Sequence, residues 1–282
     1  VGNALYRSET AEAEVRAWCR ARLERWDRPL DQRTVTTGAG DTHLVSTGTG
    51  DRTLVLVPGT NLCGATSTTL VDRLTDRARV VAIDLPGQPG LSAAARPRDR
   101  MRVYGSMLDE VVAGLEADRV TLVGHSMGAA VVLAATPSPR IAAIALVDPA
   151  GFTKPAVGMS LMGAFVAWTL RPRPSTSARL IERMQADGRR AGDELTEWFS
   201  LVGHACRSSG APGPSEADVV GRWRDTPRAV IVGEQDVFFP PERLRPVVEE
   251  RLGVTPVVVA GAGHLLPVED PSAAADAILA VG

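Results

Sequence analysis

Residues 120–135 read Val-Thr-Leu-Val-Gly-His-Ser-Met-Gly-Ala-Ala-Val-Val-Leu-Ala-Ala. The first four form a short β-branched apolar run of the kind expected of a strand buried on both faces. Ala129 to Ala135 suit a helix, and Gly124-His125-Ser126-Met127-Gly128 between them fits the pattern G-x-S-x-G in a strand, turn, helix setting. A turn of this kind projects the Ser126 hydroxyl out of the sheet in a strained conformation. Side chains at the two glycines would collide with neighbouring backbone. The Met127 backbone N–H then falls at a helix N-terminus, where it can meet a developing oxyanion. Ser126 is therefore a candidate nucleophile, and the rest of the chain must supply its partners.

Outward from this stretch, β-branched apolar runs recur at Thr53 to Val57, Arg79 to Ile83, Ile141 to Val147, Ala229 to Val232 and Thr255 to Ala260. Helical patterns lie between several of them, the clearest being Met101, Tyr104, Met107, Leu108, Val111, Val112 and Leu115. The alternation predicts an α/β fold with a mainly parallel sheet and helices on both faces. Upstream, Val15, Trp18, Cys19, Leu23 and Trp26 predict a peripheral surface helix over 8–26. Arg33 to Thr37 and Thr42 to Thr47, joined through Gly38-Ala39-Gly40-Asp41, predict a hairpin. Between Val147 and Ala229 the strand rhythm stops. Stripes such as Leu180, Ile181, Met184 and Leu195, Trp198, Phe199, Val202 predict short helices inserted as a cap over the carboxyl edge of the sheet. The expected organisation is a core of residues 1–150 and 227–282 with a helical cap over 151–226.

Composition narrows the function classes. Thirty-one Lys and Arg against 33 Asp and Glu give a net charge of -2, without the basic stripe that nucleic-acid binding requires. At 44% hydrophobic with only five Trp, five Phe and two Tyr, the core must be built mainly of aliphatic side chains. Cys19, Cys63 and Cys206 are too few and too scattered for a disulfide framework or a cysteine zinc site, and a reducing cytoplasm is the expected location. Arg7, Glu9, Glu12 and Glu14 interrupt any apolar leader, and Ala156 to Leu170 is short of a bilayer span, so neither secretion nor membrane insertion is expected.

Serine needs a base, and the base needs an orienting acid. Of the four histidines, His43 lies in an early strand, His125 inside the turn and His204 on a cap helix. His264 follows the last strand on the glycine-containing loop Ala260-Gly261-Ala262-Gly263, which suits a base swinging over the sheet edge. Asp236 leaves the neighbouring strand in Gly233-Glu234-Gln235-Asp236 and is the preferred acid. Asp148, at the end of the Ile141 to Val147 run, competes with it.

Three segments in this order, GHSMG at 124–128, GEQDVFFP at 233–240 and GAGHLLPVEDP at 261–271, resemble the α/β-hydrolase superfamily. The resemblance covers nearly all of the chain except the cap and the first 30 residues. It implies an eight-stranded sheet, Ser126 as nucleophile, His264 as base and Asp236 as its partner, acting without metal or organic cofactor. The oxyanion donors it implies are the backbone N–H groups of Met127 and Thr60, with Asn61 as the alternative because Pro58 replaces the family's histidine in Val57-Pro58-Gly59-Thr60. Asp84 to Ser92 is similar to the family's Asp-x-x-Gly-x-Gly-x-Ser segment but one residue longer, and reads as structural. Ala129 stands where many relatives have glycine, which predicts a slightly trimmed site.

The expected activity is serine hydrolysis of an ester-type bond, as in a carboxylesterase, thioesterase or lactonase, on a small apolar substrate. Carbon-carbon bond hydrolysis, cofactor-free haloperoxidation and acyl transfer use the same triad. A binding protein on the same scaffold ranks last, since no triad member is missing. Asn61, Phe165, Trp168, Trp198 and Phe199 are the expected pocket residues. Val157 to Trp168, as a helix, is apolar nearly all round and must cover its second face with cap helices, the cleft or the partner of a homodimer.

Overall fold

Each predicted strand is found within a residue or two of its expected ends: β1 (Asp31–Thr37), β2 (Gly40–Thr47), β3 (Thr53–Val57), β4 (Arg79–Ile83), β5 (Val120–His125), β6 (Ile141–Val147), β7 (Arg228–Gly233) and β8 (Val257–Val259). In the computed structural model, which describes residues 5–207 and 210–281, they form one sheet in the order β1-β2-β4-β3-β5-β6-β7-β8. β1 and β2 make an antiparallel hairpin and β2 pairs antiparallel with β4; the remaining pairings are parallel. This is the α/β-hydrolase architecture expected from the sequence.

The central strands lack polar alternation because both of their faces are covered. Leu54 and Leu56 of β3, with Ala143, Ala145 and Val147 of β6, point into one apolar layer. Val55, Val57, Ile144 and Leu146 point into the other. The first layer is closed by α1 (Glu9–Glu24), α2 (Thr68–Leu74) and α10 (Pro271–Leu279), the second by α3 (Arg100–Ala113), α4 (Met127–Ala134) and α9 (Pro241–Leu252).

Between β6 and β7 the chain forms α5 (Met159–Leu170), α6 (Pro174–Met184), α7 (Asp193–Ala205) and the short α8 (Ala217–Gly221). The first three form the helical insert. α8 instead leads Val220 and Trp223 into the second core layer, where the Trp223 indole N–H donates to the Leu133 carbonyl at 3.0 Å. α1 begins at Ser8, whose Oγ accepts the Ala11 N–H at 3.1 Å. It is less peripheral than its pattern suggests. Val15, Cys19 and Leu23 are buried, Trp18 packs on Trp198 of α7 with ring centroids 4.6 Å apart, and Arg22 pairs with Glu194 at 2.7 Å.

Candidate active site

β5 lies between β3 and β6, and its last residues pair Gly124 with Val57 and His125 with Val147. The chain then reverses through Ser126 at φ 51°, ψ -115°, a backbone strain of about 1–3 kcal/mol, directly into α4. Glycine is required on both sides. A Cβ at Gly128 would lie 2.0 Å from the Val57 carbonyl oxygen, and one at Gly124 would lie 2.6 Å from the Ala129 backbone. Ala129 itself is buried in the second core layer and lies outside the cavity lining, so its methyl packs the core and does not trim the site.

The loops after β7 and β8 bring two side chains to the half-buried Ser126 hydroxyl. His264 Nε2 lies 2.9 Å from Ser126 Oγ, and His264 Nδ1 lies 2.9 and 3.1 Å from the two carboxylate oxygens of Asp236. Asp236 Oδ1 also accepts the N–H groups of Phe238 and Phe239, at 2.8 and 3.0 Å. Burial alone would raise the Asp236 pKa, but the His264 ring and these two N–H groups outweigh it and hold the carboxyl below its usual range. An acceptor-only carboxylate fixes the proton of His264 on Nδ1, which leaves Nε2 free to accept the serine proton.

Asp148 is close by but engaged elsewhere. Its Oδ1 accepts the Gly233 N–H at 2.9 Å and its Oδ2 accepts the Leu266 N–H at 3.2 Å, which ties the acid-bearing loop to the base-bearing loop. Complete burial and the nearby Asp236 carboxylate push its pKa well up despite those two bonds. His125 runs beneath His264. Its Nε2 faces the His264 carbonyl oxygen at 3.0 Å, so Nε2 carries the proton and donates it, and the Asp148 carboxylate stays 3.7 Å away. Burial first, and then the neighbouring His264 ring, lower the His125 pKa to about 4. His204 is exposed on α7.

Asp148, Asp236 and His264 offer three ligand atoms within 4.8 Å of one another, the one such group among the described residues. The atoms a cation would need are already occupied: three of the four carboxylate oxygens accept a backbone N–H, and the fourth, Asp236 Oδ2, faces His264 Nδ1.

Thr60 and Asn61 follow β3 beside Ser126. Asn61 has φ 62°, and its N–H donates to Gln88 Oε1 at 3.1 Å, so that donor is already engaged. Gln88 belongs to the 84–92 segment, whose structural reading fits its bonds. Asp84 accepts from Gly64 and Leu91, and the Ser92 hydroxyl donates to the Asp84 carbonyl at 2.6 Å.

Above the serine is a cavity of about 390 Å³. Asn61, Phe165, Trp168 and Phe199 line it, together with Leu161, Met162, Leu180, Met184, Phe238 and Phe239, and no Lys, Arg, Asp or Glu is among its described lining residues. Trp198 is outside it. That indole is fully buried behind the loop and donates its N–H to the Asn61 carbonyl at 2.7 Å. The sequence pattern predicts both Trp198 and Phe199 in the pocket, but one residue along a helix turns the side chain about 100°, and only Phe199 faces the cavity. Glu269 was not anticipated. Its buried carboxylate accepts the N–H groups of Gly263 and Leu265, on either side of the base, and of Ala186 at the end of α6.

No curated protein matches the sequence significantly. Among solved structures, the carboxylesterase CesB of Bacillus subtilis aligns with a TM-score of 0.76 at 16% identity, over 96% of this chain and 97% of that one. The naproxen esterase of the same organism aligns at 0.78 and 18%, over 96% and 98%. A thermophilic esterase from Thermogutta terrifontis aligns at 0.64 and 24%, over 88% and 97%. At such identities the likeness is one of fold. The sequence profile of the alpha/beta hydrolase family matches residues 54–277, from the first parallel strand to the last helix and including all three motif segments. The chain belongs to the alpha/beta hydrolase family.

Proposed function

We propose that the protein is a serine hydrolase that cleaves an ester-type bond in a small, uncharged, largely apolar substrate through an acyl-enzyme intermediate. The observation that carries this reading is the continuous run of short contacts Ser126–His264–Asp236 at the floor of an apolar cavity. As Ser126 Oγ attacks the carbonyl carbon, its proton passes to His264 Nε2, and Asp236 stabilises the imidazolium formed. The carbonyl oxygen, now an anion, receives the N–H groups of Met127 and Thr60. Collapse of the tetrahedral intermediate expels the alcohol, which takes the proton from His264. Water then repeats the sequence on the acyl-serine and releases the acid. The cycle needs no metal or organic cofactor. The carboxylesterases and the esterase among the structural neighbours support an ester substrate.

The test is labelling with a fluorophosphonate probe followed by peptide mass mapping, alongside turnover of p-nitrophenyl esters, thioesters, lactones and β-diketones. The expected adduct is on Ser126, with esters turned over fastest. An unlabelled Ser126, or turnover confined to β-diketones, overturns the reading.

A further inference from the structure

α5 carries two apolar faces and covers one. Leu161, Ala164 and Trp168 are buried, whereas Met159, Met162, Val166 and Leu170, at the helical spacing of 3, 4 and 4 residues, face outward. Met159 is 93% and Leu170 75% exposed, values that a packed or monomeric surface helix has no reason to keep for such side chains. The face is continuous with the substrate cavity, because Val157, Met162 and Phe165 are exposed and also line it. Along the chain its flanks are of one sign. From Pro149 to Ile181 there is no Asp or Glu, while Lys154, Arg171, Arg173 and Arg179 are exposed and in none of the ion pairs found among the described residues. In a chain of net charge -2, that is a local excess of positive charge on both sides of an apolar helix.

We propose that the outer face of α5 is a docking surface for an anionic lipid aggregate, on which the protein meets its apolar substrate. A helix with apolar residues outward and cations at both ends lies in a lipid–water interface, held by apolar burial and by attraction to anionic headgroups. A second copy of the chain fits the same face less well. Seated there it would lie across the cavity mouth formed by Val157, Met162 and Phe165 and would set like charges against one another. A lipid surface instead presents partitioned esters at the mouth. The substrate half of this inference rests on the proposed hydrolase function; the docking half does not.

The test is co-sedimentation of the full chain with vesicles of phosphatidylglycerol and phosphatidylcholine in equal parts, and with phosphatidylcholine alone. The expected result is about tenfold stronger binding to the anionic vesicles, weakened by salt. Met159→Asp with Leu170→Asp should lower that binding about tenfold and leave turnover of dissolved p-nitrophenyl acetate unchanged, since neither residue lines the cavity. Arg171→Gln with Arg173→Gln should lower it roughly fivefold per cation. Absence of binding, equal binding to both vesicle types, or binding indifferent to these substitutions overturns the proposal. So does a dimer by light scattering that the Met159→Asp, Leu170→Asp variant dissociates. Sedimentation needs no turnover, so an inactive protein that still pellets refutes the hydrolase function alone, and an active one that stays in solution refutes the docking alone.

Discussion

The backbone N–H of His264 donates to the carbonyl of Met184 at 2.8 Å, so the base is hung from the last residue of α6. Ala186, two residues on, donates to the Glu269 carboxylate that also receives Gly263 and Leu265. The helical insert therefore does more than roof the cavity: its end forms one wall of the loop that holds the imidazole. A Cβ at Gly263 would stand 2.6 Å from both Ala186 N and Gln185 C, backbone atoms that cannot yield without moving the base. Gly263→Ala is expected to lower kcat about 100-fold, as a misplacement of the order of 1 Å does, with KM changed much less. Steady-state kinetics on a p-nitrophenyl ester decide it; a near-normal kcat would show that the loop absorbs the methyl.

Ser126→Ala and His264→Ala should each remove nearly all turnover, on the order of 10⁶-fold, while circular dichroism shows a folded chain. Asp236→Asn should cost about 10⁴-fold in kcat, because an amide at 2.9 Å from His264 Nδ1 favours the wrong tautomer. Asp148→Asn should spare kcat by comparison and act on stability, since its carboxylate serves two backbone N–H groups and no imidazole within 3.5 Å. Equal kinetic losses at the two positions would contradict the assignment of the acid.

His125 gives a pH signature. Its folded pKa of about 4 lies below the ordinary histidine value of 6.5, so between those limits the unfolded chain binds more protons than the folded one. Stability is then complete above pH 6.5 and falls as the pH drops toward 4, by about 3 kcal/mol for this group. His125→Gln, which keeps an N–H for the His264 carbonyl but cannot titrate, should flatten that slope by one proton. Urea unfolding at a series of pH values measures it, and an unchanged slope would assign the acid sensitivity to other groups.

The strands were legible because two-sided burial writes them as unbroken apolar runs, and the juxtaposition of Ser126, His264 and Asp236 because a turn or loop carrying each follows such a run. β8 was overextended at both ends: Val257 and Val258 are largely exposed on an edge strand, and β-branched residues alone do not reveal where pairing stops. What stayed hidden acts through backbone. Glu269, Met184 and Asp148 hold the loops by accepting N–H groups, and no side-chain pattern announces which carboxylate will do so. Gln88 had a faint signal, the extra residue in the 84–92 segment, but its partner Asn61 is 27 positions away.

Trp198 separates a positioning role from a pocket role. Its indole N–H holds the Asn61 carbonyl, one residue beyond the proposed oxyanion donor, and its ring is packed by Trp18. Trp198→Phe keeps most of the packing and removes the bond. The expected outcome is a kcat lowered about tenfold by the same factor for acetate, butyrate and hexanoate esters, at little change in KM. A loss that grows with acyl length would instead make Trp198 part of the pocket wall.

Phe165 is the cleaner probe of the wall itself. Trp168 is 3% exposed and donates its N–H to the Phe199 carbonyl at 2.9 Å, so Trp168→Ala would remove that bond and open a hole, mixing stability with specificity. Phe165 lines the cavity with its ring 5.8 Å from that of Trp168 and is 39% exposed, so truncation removes wall with less damage behind it. If acyl chains fill this cavity, each methylene buried in the transition state is worth up to about 0.8 kcal/mol, or fourfold in kcat/KM, until the space is full. Butyrate and hexanoate esters should therefore be cleaved faster than acetate, and Phe165→Ala should shrink that advantage several-fold while acetate turnover changes little. A flat profile in the unaltered protein, or a preference for an anionic ester over a neutral one of equal length, would contradict an acyl pocket at this wall and leave Phe165 to the outer face of α5.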